Sequence, residues 1–154
     1  MRSAQQWLAE YGESHRNPTN ERLHWICVPV IVWCVVGFLW LIPVPAVPIN
    51  CAQLAIVLAI GYYALLSTRL ALGAGLMLAL MALSVALLAR HVRVPLGWIF
   101  AGAFIAAWVG QFIGHAIEGK RPSFFKDLQF LMIGPLWLLA NLYRHWGIAL
   151  PARR

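Results

Sequence analysis

The five histidines are the side chains of this sequence best suited to chemistry, because imidazole binds metal ions and transfers protons near neutral pH. They occur among 154 residues at positions 15, 24, 91, 115 and 145. His115 and Glu118 are three residues apart, a spacing that brings both side chains to one face of a helix, as in helical metal sites. Gln111 lies one turn earlier on that face. The pattern indicates either a metal site or a helix that ends in polar residues at a membrane surface.

Several other classes of protein are disfavoured by the remaining residues. The sequence contains no P-loop, nucleophile-elbow or dinucleotide-binding motif. Its three cysteines, Cys27, Cys34 and Cys51, form no C-x-x-C pair, which argues against a disulfide scaffold or a zinc knuckle. The formal net charge is +7, but the basic residues are scattered between apolar runs rather than gathered on one face. We therefore expect no nucleic-acid partner.

The elements that must position the histidines are membrane helices. Hydrophobic residues make up 62% of the chain and charged residues 11%, whereas soluble domains carry about 25% charged residues. Uncharged runs near the ~20 residues needed to cross a bilayer predict four spans, at residues 25–42, 49–68, 70–89 and 95–117. We therefore expect an all-α integral membrane protein, with residues 1–154 forming a single domain in the lipid bilayer.

Two further helices are predicted outside the four spans. A weaker apolar run at 128–143 has Gly134 and Pro135 at its centre, which predicts a short re-entrant or interfacial fifth helix. Residues 4–11 carry apolar side chains at positions i, i+3, i+4 and i+7. This periodicity predicts an N-terminal amphipathic helix on the membrane surface.

The distribution of basic residues predicts the orientation of the chain, because cytoplasmic loops carry an excess of Lys and Arg. If residues 128–143 do not cross, ten basic residues share one side with both termini and two lie on the other. If the segment crosses, the ratio is seven to five. The stronger bias predicts that His15, His24 and His115 lie on the cytoplasmic side and His91 on the opposite side. We expect a bacterial inner membrane, or the endoplasmic reticulum if the source is eukaryotic.

Two blocks of the sequence carry a resemblance to a known family. The first block contains Tyr11, His15, Asn20, His24 and Pro29. The second contains Gln111, Phe112, Ile113, Gly114, His115, Glu118, Gly119 and Pro122. In this order, and with this hydrophobic layout around them, the blocks resemble the family of membrane 2-hydroxy fatty acid dioxygenases.

The resemblance implies an iron(II)-dependent dioxygenase of fatty acid α-oxidation. Its substrates would be a 2-hydroxy fatty acid and O2, and its product a fatty acid one carbon shorter, with the lost carbon leaving as a one-carbon acid. The residues that match the family's motif are His15, His24 and His115, with Glu118 as the matching acid, and these are the expected catalytic residues and Fe2+ ligands. Such ligands with open positions suit non-haem iron(II), which a 2-hydroxy acid can chelate through its hydroxyl and carboxylate.

Five further residues of the two blocks and their flanks are expected to support the site. Asn20 and Gln111 belong to the blocks themselves, whereas Arg16, Lys120 and Arg121 flank them and can attract a carboxylate. The alternative role of these bases is to set the membrane topology. From the residues alone, a haem-binding protein and a non-enzymatic membrane or transport component also stay open. A haem protein would show a Soret band, and an iron dioxygenase would not.

The charge bias predicts that both termini lie in the cytoplasm. Reporter domains fused to the N-terminus and to the C-terminus should therefore both report the cytoplasmic side. A C-terminus on the side opposite to the N-terminus would contradict the four-span topology, and it would mean that residues 128–143 cross the membrane.

Overall fold

The structure is a computed structural model, and it describes residues 3–13, 15–119 and 127–148. These residues form six helices, which are α1 (Ala4–Gly12), α2 (Pro18–Trp40), α3 (Cys51–Leu66), α4 (Thr68–His91), α5 (Leu96–Glu118) and α6 (Asp127–His145). Within the same ranges, the one strand-like feature is an isolated bridge between Pro43 and Asn50. The all-helical class expected from the sequence is therefore confirmed.

Three of the described helices, α2, α4 and α5, are long and apolar enough to cross a membrane. Large apolar side chains such as Leu72, Leu76 and Leu80 are exposed along α4, as a lipid-facing helix requires. The apolar helix α3 has 16 residues, which at ~1.5 Å per residue is shorter than a ~30 Å bilayer core. The expected number of four spans therefore stays a prediction.

The helix that contains the first predicted span begins earlier than the apolar run does. We expected a span at 25–42, but α2 begins at Pro18, after Asn17 as its N-cap. The side chain of Asn17 accepts a hydrogen bond from the backbone N–H of Thr19 at 2.9 Å, and proline is favoured in the first helical turn. Because of this extension, Asn20 and His24 lie one turn apart on the same rigid helix.

The pairing of α2 with α5 depends on glycines that allow the two helices to approach closely. A Cβ at Gly37 would lie 2.5 Å from the ring of Phe100, and one at Gly110 would lie 2.6 Å from Sγ of Cys27. A Cβ at Gly114 would likewise clash with the side chain of Asn20. Small residues at such positions are typical of helix contacts in membranes. The helices run antiparallel, so the beginning of α2 lies beside the end of α5.

The last helix, α6, is continuous through Pro135. It includes the expected fifth helix at 128–143, whose re-entrant or interfacial position stays a prediction. A proline in a helix leaves one backbone carbonyl of the preceding turn without its N–H partner. That carbonyl belongs to Leu131, four residues before Pro135. The hydroxyl of Tyr63 on α3 donates to the next carbonyl, that of Met132, at 2.9 Å. Tyr63 thus links α3 to α6 one residue after the carbonyl that Pro135 leaves without its N–H.

The short helix α1 packs against α6 rather than standing alone. Its N-terminus is closed by a capping box, in which Ser3 and Gln6 exchange hydrogen bonds between side chain and backbone. Tyr11, in its last turn, is buried and belongs to the same core as Trp137 of α6. The predicted apolar face of this helix therefore faces protein, and α1 and α6 together form a cover over the beginning of α2.

We predict that Gly37→Ala destabilises the protein, because the added methyl group meets the buried ring of Phe100. Overpacking of this kind costs about 1–3 kcal/mol, so the midpoint of thermal unfolding in detergent should fall. Gly102→Ala is the matched control on the partner helix, since nothing lies within 4 Å of the added carbon. It should leave the midpoint unchanged or raise it, because alanine favours helix over glycine. Equal midpoints for the two variants would contradict the close α2–α5 contact.

Candidate metal centre

Three histidines from distant parts of the sequence converge at one point, and we call His15, His24 and His115 the histidine cluster. Each offers a ring nitrogen, and the three nitrogens all lie within 4.8 Å of one another. The ring centroids are 4.2 Å apart for His15 and His24, 5.6 Å for His15 and His115, and 5.1 Å for His24 and His115. His15 and His24 are buried, and His115 is half-buried. The structure thus brings together three of the four expected ligands.

The backbone orients two of the three imidazoles. Nδ1 of His15 lies 2.7 Å from the carbonyl of Tyr11, and Nδ1 of His24 lies 2.9 Å from the carbonyl of Asn20. A carbonyl only accepts hydrogen bonds, so each Nδ1 carries the proton and each Nε2 presents a lone pair. A hydrogen bond to a carbonyl is the usual way in which a metal-binding histidine is held in one tautomer.

The third histidine contributes a buried polar atom that the described residues do not satisfy. Nδ1 of His115 is shielded from solvent and has no hydrogen-bond partner in the described part of the chain. Buried polar atoms are nearly always paired in folded proteins, and an ion is one of the partners that can pair them. Two nitrogen donors of one metal ion are at most about 4.2 Å apart when each bond is ~2.1 Å long. The residues of the cluster therefore fit a single ion after a small inward movement.

An aromatic wall supports the cluster from the side of α1 and α6. The ring of Tyr11 stacks on His15 with centroids 4.2 Å apart and planes 10° from parallel. The ring centroid of Trp137 lies 5.5 Å from that of Tyr11 and 5.4 Å from that of His15. A Cβ at Gly134 would come within 3.0 Å of the Tyr11 hydroxyl, so the glycine makes room for this ring. Tyr11 belongs to the first motif block, but the sequence predicted no role for it. Trp137 was not predicted at all, because no spacing in the sequence connects it to a histidine.

Glu118 lies beside the histidine cluster but points its carboxylate at the beginning of α2. Oε1 accepts a hydrogen bond from the backbone N–H of Arg16 at 3.0 Å. Oε2 accepts one from the backbone N–H of Asn17 at 2.9 Å and one from the side-chain amide of Asn20 at 3.1 Å. The group of metal-capable side chains found among the described residues contains the three histidines and not Glu118. Its expected role as a ligand stays a prediction.

The other residues expected near the site differ in their positions. Asn20 is fully buried against Glu118, and Gln111 is buried on α5 one turn before His115. Arg16 is exposed and joins the site through its backbone N–H. Lys120 and Arg121 lie outside the described residues. The sequence therefore placed Asn20 near the site but did not predict its hydrogen bond to Glu118.

The remaining two histidines lie outside the cluster. His91 is exposed at the end of α4, and His145 is exposed at the end of α6. The ends of α2 and α5 that carry the cluster are opposite to the ends that carry Phe38 and Phe100, because these two helices are antiparallel. The cluster thus occupies one edge of the bundle.

The fold and the site together define a class of protein: a helical bundle with membrane-length helices and a three-histidine centre that can hold a metal ion at one edge. Comparison with known proteins identifies the family. The family described as "2-hydroxy-palmitic acid dioxygenase Mpo1-like" matches residues 1–146, and the chain belongs to it. The resemblance found in the sequence is thereby confirmed.

One characterised relative is the "2-hydroxy-palmitic acid dioxygenase MPO1" of Saccharomyces cerevisiae. It is 31% identical over 134 residues, which cover 86% of this chain and 75% of the yeast protein. No solved structure matches the chain.

We predict that the aromatic wall raises the metal affinity of the cluster. Tyr11→Leu removes the ring that holds His15, and it should weaken Co2+ binding by about 10-fold, at the lower end of the effect of removing a residue that supports a metal ligand. Tyr11→Phe keeps the stacked ring and should bind Co2+ within a few-fold of the wild type. Titration of the purified protein with Co2+, followed by visible absorption, measures both. An equal loss in the two variants would show that stacking is not what matters.

Proposed function

We propose that this chain is a non-haem iron(II) dioxygenase that shortens 2-hydroxy fatty acids by one carbon at a membrane surface. The observation that carries the proposal is the histidine cluster, in which three buried or half-buried imidazoles face one point. The name of the family and that of the yeast relative support the class of reaction and of substrate. The membrane-length helices support the location.

Iron(II) fits the donor set of this site. Three neutral imidazoles suit a first-row divalent ion, and with its remaining positions open iron(II) would supply the capacity to bind and reduce O2. His15 and His24 are held in the required tautomer by backbone carbonyls, so they need no rearrangement of protons to bind an ion. His115 is the most accessible member of the cluster, so an incoming substrate would approach the site from its side.

The overall reaction balances without any further reactant. One 2-hydroxy acid and one O2 contain the atoms of the shorter fatty acid, one CO2 and one water. The bond between C1 and C2 breaks, C2 becomes the new carboxyl carbon, and the four electrons released reduce O2. The lost carbon therefore leaves as CO2 with one water, which is the dehydrated form of carbonic acid.

The position of the site at the edge of the bundle suits an amphiphilic substrate. Arg16, directly after His15, is exposed and can attract the carboxylate. Apolar side chains next to the cluster, namely Ile26 on α2 and Phe112 and Ile113 on α5, are exposed on the surface of the bundle. The acyl chain would lie along these residues among the lipid chains, with its head group at the metal. We place this edge on the cytoplasmic side of a bacterial inner membrane, or of the endoplasmic reticulum in a eukaryote.

The geometry of the cluster disfavours the haem alternative. A haem held by two histidines lies between their rings, with the iron at its centre. Here each pair of rings meets edge to face at centroid distances of 4.2–5.6 Å. No gap wide enough for a porphyrin separates any two of them.

We predict a sharp difference between two histidine variants. His115→Ala removes one donor of the cluster and should abolish both iron retention and O2 uptake with 2-hydroxypalmitate. His91→Ala, at an exposed position at the end of α4, should leave both unchanged. The measurements are the iron content of purified protein and O2 consumption with an oxygen electrode.

Three results would contradict the assignment. Full iron content and turnover in His115→Ala would remove His115 from the site. A Soret band in the wild-type protein would favour a haem protein. The absence of O2 uptake on any 2-hydroxy fatty acid, in wild-type protein loaded with iron(II), would show that this chain does not share the activity for which the family is named.

A further inference from the structure

The carboxylate of Glu118 connects all the segments that carry the histidine cluster. Glu118 is the last residue of α5, one turn after His115. Its three hydrogen bonds reach Arg16, which directly follows His15, and Asn17 and Asn20 at the beginning of α2. His24 is one turn beyond Asn20 on that helix.

Electrostatics favour this arrangement of charge. A carboxylate at the C-terminus of its own helix is disfavoured by the helix dipole, whereas a carboxylate at the N-terminus of a helix is stabilised. Glu118 is the last residue of α5, and its carboxylate lies beside the N-terminus of α2. One of its oxygens accepts the backbone N–H of Asn17, the N-cap of α2. The unfavourable position on one helix is offset by the favourable position on the other. The charge therefore stabilises the contact between the helices rather than either helix alone.

We propose that Glu118 is a positioning residue that holds the three histidine-bearing segments at metal-binding distance. The inference rests on the proposed function in that it assigns the histidine cluster a metal ion. It differs from the expectation that Glu118 is itself a ligand, because both carboxylate oxygens are engaged with α2 and the residues before it. Glu118 acts on the metal through the spacing of the three imidazoles.

The first test replaces the carboxylate by an amide of the same shape. Glu118→Gln loses the negative charge and leaves one oxygen to serve three donors, since the amide nitrogen only donates. We expect Co2+ affinity, measured by visible absorption on the detergent-solubilised full chain, to fall by about 10- to 100-fold, as for other residues that orient metal ligands. Glu21→Gln is the matched control, because it removes the same charge from the first turn of α2. It should change the affinity by less than a few-fold.

The second test separates a positioning role from a ligand role. In the double variant Asn20→Asp with Glu118→Gln, the hydrogen bond between the two side chains is restored with donor and acceptor exchanged. The negative charge also returns to the first turn of α2, where it is favourable. We expect the double variant to recover part of the lost Co2+ affinity, because the charge and the side-chain hydrogen bond return while the N–H of Asn17 still lacks its oxygen. A metal ligand at residue 118 would not be restored by the exchange, so loss without recovery in a protein that still shows a cooperative unfolding transition would overturn the proposal.

A third measurement tests the contact without any metal. Amide hydrogen exchange at residue 16 or residue 17 should be faster in Glu118→Gln than in the wild type and in Glu21→Gln, because one of these N–H groups loses its acceptor. Unchanged exchange would overturn the positioning role whatever the metal binding shows. If the Glu118 variants behave as expected but the wild type consumes no O2 with 2-hydroxy fatty acids, the proposed activity fails and the positioning role stands. If the wild type binds no Co2+, both the metal centre and the effect of Glu118 on it fail.

Discussion

The close contact between α2 and α5 is the constraint on which the rest of this structure depends. In a membrane, lipid surrounds the helices with material as apolar as their own side chains, so that packing and polar contacts must hold them together. These two helices approach closely because the backbone of one contacts side chains of the other at Gly37, Gly110 and Gly114. Because the helices are antiparallel, the same contact sets His24 beside His115 at one edge. The histidine cluster at this edge is therefore a consequence of how α2 and α5 pack.

The residues that surround the histidine cluster are arranged around the contact between α2 and α5. A buried imidazole needs hydrogen bonds, since polar groups removed from water without partners cost free energy. The cluster finds some of these partners within its own chain segments, as His15 does at Tyr11 and His24 at Asn20, each four residues earlier. The short helix α1 then brings the ring of Tyr11 onto His15, and α6 fixes that ring with Trp137. In this way the non-spanning α1 contributes the stacked ring that steadies the first histidine.

The sequence predicted the parts of this site that depend on local periodicity. Apolar runs located the long helices because lipid contact requires continuous hydrophobic stretches. The spacing of His115 and Glu118 correctly indicated one helix face, but a shared face does not specify a shared partner. Glu118 is bonded to residues about a hundred positions away, and only the pairing of α2 with α5 reveals that. The role of Trp137 was unpredictable for the same reason, because its contact with His15 exists only through the packing of α6.

The chemistry of the Glu118 contact also indicates which side chains this contact depends on. Two of its three donors are backbone N–H groups, which any residue except proline provides. The side chains of Arg16 and Asn17 therefore contribute nothing to this contact, although Asn17 is needed as the N-cap of α2. Asn20 alone contributes a side chain, and it is fully buried against Gly114. A carboxylate at 118, an amide at 20 and a glycine at 114 thus form one interdependent set, because a larger residue at 114 displaces the amide and leaves the carboxylate short of a donor.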